Sequence, residues 1–135
     1  MSIFEWSPIY ETGVAEIDRQ HQRLMAYVNE MFDALVAGRG ETVVDRILDE
    51  LIVYTKEHFT FEEEMLRRGD DDDVGPHIAR HQALLHTVEG LRSRRAAGDV
   101  RVDGDTLGLL RDWLVTHIRD DDAGRASAVR RGAAG

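Results

Sequence analysis

Two pairs of potential metal-binding residues stand out in the middle of the chain. His58 and Glu62 form one pair, His77 and His81 form the other, and the members of each pair are four positions apart. On an α-helix this spacing places both side chains on one face, one turn apart, so that they can hold one metal ion or two neighbouring ions. Either pair alone is more typical of a helix surface. The interpretation therefore depends on what the other helices place opposite them.

The composition limits the kind of metal site that is possible. The 135 residues suffice for one domain and include no cysteine. This excludes disulfides, thiolate zinc sites and iron–sulfur clusters, and leaves nitrogen and oxygen ligands. No apolar run approaches the roughly 18 residues of a membrane helix, and the first residues lack the features of a signal peptide, so we expect a cytoplasmic protein. The net charge of −9 argues against nucleic acid or anionic membranes as partners.

Four segments carry apolar residues at alternating spacings of three and four, which is the pattern of an amphipathic helix. They predict helices at about residues 14–38, 42–68, 76–97 and 105–121, after an arm at residues 1–13. Helices of this length with short connections favour an all-α fold, namely an up-down-up-down antiparallel four-helix bundle with an N-terminal arm. We expect this domain to span residues 1–122. Residues 123–135 are poor in apolar side chains and predict a disordered tail.

The acidic run at residues 70–73 connects the second and third predicted helices. Four like charges in succession indicate a solvated loop, with a calcium-type ligand cluster as the alternative.

The candidate ligands occupy the apolar faces of all four predicted helices. An isolated buried histidine that hydrogen-bonds to a carbonyl group is ordinary, but burying many imidazoles and carboxylates together is costly unless they are paired or bound to metal. We therefore predict a metal site in the bundle interior. His86 lies off the apolar face and should be exposed. The core-facing candidates are His21, His58, Glu62, His77, His81, His117 and one of Asp120, Asp121 and Asp122.

The number and type of these ligands indicate the metal. Seven ligands are more than one zinc ion takes, and five imidazoles are too many nitrogens for magnesium or calcium, so two metal ions are implied. Two octahedral ions offer twelve coordination positions. Five imidazoles would fill five of them, and two carboxylates and one oxygen, each bridging both ions, would fill another six, which leaves one position open. A nitrogen-rich centre with one open position suits iron that binds a small ligand such as O₂.

These motifs resemble the hemerythrin family, specifically the single-domain bacteriohemerythrins, over about residues 6–122. The matching stretches are Asp18-Arg19-Gln20-His21, then His58-Phe59 with Glu62-Glu63, then His77 with His81, and finally Trp113-Leu114 with His117-Ile118 and Asp122. The resemblance implies a non-haem di-iron centre, with a bridging oxo or hydroxo group, that binds O₂ reversibly. It also implies the distribution of ligands: His77, His81 and His117 on one iron, His21 and His58 on the iron with the open position, and Glu62 and Asp122 as bridges.

Residues next to the ligand positions should form the wall of the oxygen pocket. One turn before, or directly beside, His58 and His117 the sequence has Tyr54, Phe59, Trp113, Leu114 and Ile118. An apolar wall would exclude water and protons from the bound oxygen. Beyond the ligands we find no polar group suited to orienting a substrate, so we predict binding and not catalysis.

Helix geometry and the resemblance disagree about the bridging aspartate. A regular α-helix turns by about 100° per residue, so Asp121 points within roughly 40° of His117, whereas Asp122 points about 140° away. The resemblance selects Asp122, which requires the helix to end, bend or widen into a π-type turn. The weak helix formers at 120–122, followed by Gly124, favour such an irregularity, so we predict Asp122.

The sequence therefore predicts a monomeric oxygen carrier, store or delivery protein whose partner is O₂. One alternative is an oxygen or redox sensor that acts through a protein partner, and another is a di-iron enzyme that reduces peroxide or nitric oxide. A partner captured in only one oxygenation state would favour the sensor. Steady-state turnover with a reductant would favour the enzyme.

Overall fold

The computed structural model describes residues 5–38, 41–69, 74–98, 104–122 and 126–134. Four long helices form a bundle in this part of the chain, which contains no strand. The predicted all-α four-helix bundle is confirmed. The acidic run at 70–73 lies outside the described residues. The elements are a 3₁₀ turn at Pro8–Tyr10, α1 at Ala15–Val36, α2 at Glu41–Arg68, α3 at Val74–Ala96, α4 at Gly104–Val115, which continues as a π-helix at Thr116–Asp122, and α5 at Ala126–Ala134.

The apolar faces of α1, α2, α3 and α4 meet in one core, to which α3 contributes Val88 and Leu91. Ile17, Leu24 and Val28 of α1 are fully buried, as the spacing of three and four predicts. Leu35 continues that spacing but is 36% exposed, and Ala34 is buried in its place. The reason is that α1 ends at Val36, so its last turn lies at the edge of the bundle.

Glycines end α1 and α3. Gly38 has a φ of +64° and Gly98 a φ of +78°, a left-handed conformation that costs glycine little. The amide of Gly38 donates to the carbonyl of Leu35, and that of Gly98 donates to the carbonyl of Arg95. Both helices are therefore stopped by local backbone geometry, which allows the chain to reverse direction.

Polar contacts fix how α3 lies against its neighbours. Arg95, whose side chain is 4% exposed, donates to Asp45 of α2 over 2.6 Å, and Arg92 donates to Asp49 of α2 over 2.6 Å. On the other side the indole N–H of Trp113 donates to the carbonyl of Leu84. These contacts set the height of α3 relative to α2 and α4, which matters because α3 supplies two candidate ligands.

The structure differs from the predicted disordered tail, because residues 126–134 form α5 and pack against α2. Arg130 donates to the carbonyl of Thr12, and Arg131 donates to the carbonyl of Gly69. A side chain at Gly132 would overlap the carbonyl oxygen of Met65, so glycine is what allows this close approach. These contacts use backbone acceptors and a missing side chain, which an apolar pattern does not reveal.

None of the described helices is both long and apolar enough to cross a membrane.

Candidate metal centre

Five histidines and one carboxylate meet in the interior at one end of the bundle core. His86 is exposed, as predicted. His21 lies on α1, His58 and Glu62 on α2, and the remaining histidines on α3 and the π-helix. All six side chains are at most 1% exposed: His21, His58, Glu62, His77, His81 and His117.

The two oxygens of Glu62 face different groups of histidines. Its Oε1 lies 2.9 Å from Nε2 of His77 and 3.1 Å from Nε2 of His81. Its Oε2 lies 3.2 Å from Nε2 of His58, 3.8 Å from Nε2 of His21 and 3.9 Å from Nε2 of His117. Each oxygen thus belongs to a separate cluster of nitrogens. This is the placement expected of a carboxylate that bridges two cations.

The separations between imidazole nitrogens fit a shared cation. Nε2 of His58 lies 3.1 Å from Nε2 of His21 and 2.9 Å from Nε2 of His117. Neighbouring ligands of an octahedral ion lie about 3 Å apart when the metal–nitrogen bonds are about 2.1 Å long. A metal ion can accept the lone pairs of all three nitrogens at once, whereas each nitrogen–nitrogen hydrogen bond needs one proton and one lone pair. The donor set therefore fits the implied metals.

Two polar residues orient candidate ligands by accepting hydrogen bonds from the imidazole nitrogen that does not face Glu62. Nδ1–H of His58 donates to Oε1 of Gln20 over 2.7 Å, and Nδ1–H of His81 donates to Oε2 of Glu63 over 2.8 Å. With the proton on Nδ1, each Nε2 carries the lone pair that a metal needs. The amide of Gln20 is oriented in turn by Glu16, which accepts from its Nε2. A side-chain hydrogen bond from Arg19 lowers the pKa of Glu16, so Glu16 stays an acceptor.

Sequence reasoning assigned no role to Gln20 or Glu63, although each directly adjoins a predicted ligand. The signal that was available is a polar side chain next to a ligand on a partly buried helix. It does not say which histidine on another helix the side chain will meet, since that depends on the relative heights of the two helices.

His117 lies between the two groups. Its nitrogen belongs to the cluster with His21 and His58, whereas the resemblance places it with His77 and His81. Its ring centre is 5.1 Å from that of His58 and also 5.1 Å from that of His81. The ring position is compatible with either ion, and its assignment to the iron of His77 and His81 stays a prediction.

The helix that carries the predicted bridging aspartate is irregular. α4 changes to a π-helix from Thr116 to Asp122, the kind of backbone that the choice of Asp122 requires. A π-helix turns by less than 100° per residue, which brings a side chain five positions after His117 closer to the face of His117. The side chains of Asp120, Asp121 and Asp122 lie outside the described part of the structure, so Asp122 stays a prediction as the bridge.

Four of the five predicted wall residues lie beside the histidines or in the adjoining core. The ring of Phe59 stacks on His81, with ring centres 3.9 Å apart and planes at 3°, and its centre lies 4.9 Å from that of His117. Leu114 and Ile118 are fully buried, and Trp113 is 7% exposed.

Tyr54 is placed elsewhere. Its ring packs 5.9 Å from that of Tyr27, and together with Val53 and Glu57 it lines an open groove on the surface. Burial raises the pKa of its phenol, which keeps the group neutral. Thr55, which also lies one turn before His58, is fully buried, and its hydroxyl has no hydrogen-bond partner among the described residues.

Comparison with known proteins gives a consistent result. A family model described as the hemerythrin HHE cation binding domain matches residues 12–126. A bacteriohemerythrin of Pseudomonas aeruginosa is 35% identical over 96% of this chain and 84% of its own length. A bacteriohemerythrin of Methylococcus capsulatus is 32% identical over 87% of this chain and 90% of its own. The crystal structure of a wild-type hemerythrin superposes with a TM-score of 0.86 at 29% identity, covering 95% of this chain and 98% of that one.

Proposed function

The chain belongs to the hemerythrin family and binds O₂ at a non-haem di-iron centre, and we propose that it serves as an oxygen carrier, store or delivery protein. We propose further that the metal ligands are His21, His58, Glu62, His77, His81, His117 and Asp122. Two ferrous ions held by these residues would supply the two electrons that O₂ takes up on binding and would recover them on its release. Binding, and not turnover, is then the function.

The observation that carries this proposal is the position of Glu62. Its two oxygens lie within 3.9 Å of the Nε2 atoms of five buried histidines, two around one oxygen and three around the other. One carboxylate can hold two metal ions at a fixed short distance only if each oxygen has its own set of further ligands. A single ion would use one of these sets and leave the other without a metal.

The apolar side chains make binding reversible by keeping the pocket dry. Leu114 and Ile118 have no solvent exposure, and Phe59 covers one face of the His81 ring. Water or a proton donor that reached the bound oxygen would promote its release in reduced form and leave oxidised iron. The wall excludes both and so protects the ferrous state.

The proposal also covers the location and the oligomeric state of the protein. We propose that it is a cytoplasmic monomer. The net charge of −9 supports a monomer, because like-charged copies repel one another at low ionic strength. Sedimentation at two protein concentrations tests this, and a concentration-dependent increase in mass would contradict it.

Repeated oxygenation tests the function. The iron-loaded protein is reduced without air, exposed to O₂ and then purged, while its visible absorption is recorded through several cycles. We expect an absorption band that appears with O₂ and disappears on purging, with one O₂ taken up per chain. Glu62→Ala should abolish the band, whereas Glu64→Ala should keep it, because Glu64 is exposed and paired with Arg68 on the same helix. A single irreversible change on the first exposure would contradict reversible binding.

A further inference from the structure

On each side of the centre, one histidine donates a hydrogen bond from Nδ1, and the two acceptors differ in charge. His58 donates its Nδ1 proton to the amide oxygen of Gln20, and His81 donates its Nδ1 proton to the carboxylate of Glu63. The two hydrogen bonds are similar in length, at 2.7 and 2.8 Å. The acceptors therefore differ mainly in charge, one being neutral and the other anionic.

The negative charge of Glu63 acts mainly on His81. The side chain of Glu63 is 17% exposed, so solvent screens it only in part. Within the described residues it makes no ion pair with a lysine or arginine. By contrast, Glu64 pairs with Arg68, and Glu16, which stands behind Gln20, pairs with Arg19. The carboxylate of Glu16 is thus one residue further from His58 than Glu63 is from His81, and it is paired with an arginine.

We propose that Glu63 is a positioning residue that lowers the reduction potential of the iron bound to His81, in addition to the difference in histidine ligands between the two iron positions. This inference rests on the proposed di-iron function. An imidazole that donates a hydrogen bond to a carboxylate becomes a stronger electron donor, and a stronger donor stabilises ferric over ferrous iron. Gln20 exerts a weaker effect of the same kind on His58.

The inequivalence determines where the first electron goes when the diferric centre is reduced. By lowering the potential on the His81 side, Glu63 would favour reduction of the iron on the His58 side in the first one-electron step. The iron on the His81 side would then be reduced in the second step, at lower potential. Glu63 therefore widens the separation between the two steps, and it makes the His81 side the one that returns to the ferric state first.

The decisive experiment is a mediated electrochemical titration of the iron-loaded protein, followed by its absorption spectrum, in which the electrode supplies both electrons. Glu63→Gln keeps a hydrogen-bond acceptor for His81 and removes the charge. We expect it to retain the iron content of the parent, to shift the second step to more positive potential and to shift the first step less, so that the two steps move closer together.

Two variants separate charge from other effects. Glu64→Gln removes the same charge one residue away, where it faces solvent and Arg68, and should leave both steps at the parent values. Glu63→Ala removes both the charge and the hydrogen bond, and should shift the second step at least as far as Glu63→Gln does.

The inference is overturned if Glu63→Gln titrates like the parent or like Glu64→Gln, or if only Glu63→Ala departs from the parent, since the residue would then act as a neutral tether. Loss of iron from Glu63→Gln would also contradict it, because the amide can make the same hydrogen bond. Failure of the proposed function gives a different result, since the parent itself would then lack a two-step iron titration.

Discussion

Glu62 shows how one residue can define the centre. It is fully buried and contacts histidines from three helices and the π-helix, so its position depends on all of them at once. The ligand types were predictable, because a histidine or glutamate on an apolar helix face must point inward. The contacts of Gln20 and Glu63 were not, because they depend on how far one helix is displaced along another. Nor was the unpartnered hydroxyl of Thr55, since threonine can usually bond to its own helix.

Leu114 should control how long the ferrous centre survives in air. It is fully buried one turn before His117, so Leu114→Ala opens space in the wall through which water can enter. We expect faster autoxidation, followed as the change of the visible absorption spectrum with time, and an unchanged iron content. We also expect a loss of about 3 kcal/mol in the free energy of unfolding.

The matched control is Leu110→Ala, which removes the same side chain one turn earlier on α4, where Leu110 is 2% exposed. It should cost a similar free energy without changing the autoxidation rate. Equal rates in both variants and the parent would show that Leu114 is not part of the wall.

At the scale of elements, the π-helix and α5 mark the limits of sequence reasoning. Periodicity of three and four predicts four helices, and these are present. The same periodicity cannot show where a helix changes its turn. The conflict between Asp121 and Asp122 pointed to an irregularity, and the structure has a π-helix at Thr116–Asp122. Helix α5 was missed because it is held by Arg130, Arg131 and the absence of a side chain at Gly132.

The π-helix leads to a test of the second bridge. Asp122→Ala should lose at least one of the two irons, because the second carboxylate between them is removed. Asp121→Ala makes the same change one residue earlier and should retain both irons. Iron content after identical reconstitution and desalting is the measurement. The opposite pattern would assign the bridge to Asp121 and contradict the role that we give to the π-helix.

At the scale of the whole molecule, the metal centre and the bundle depend on each other. The proposed ligands come from α1, α2, α3 and the π-helix that continues α4, so two bound ions would join the four helices of the bundle. Without metal, the same interior must hold five imidazoles and a carboxylate, which are costly to bury. The division of these ligands between the two oxygens of Glu62 requires two ions, and that requirement is the centre of the account.

The most direct test is therefore the number of metal ions per chain. The protein is reconstituted with excess ferrous iron without air, desalted and analysed for iron, zinc and protein by elemental and amino-acid analysis. The account predicts two irons per chain, with zinc not retained in preference to iron when both are offered. One metal ion per chain after full reconstitution would contradict it, because a single ion would leave one of the two groups of histidines around Glu62 unused.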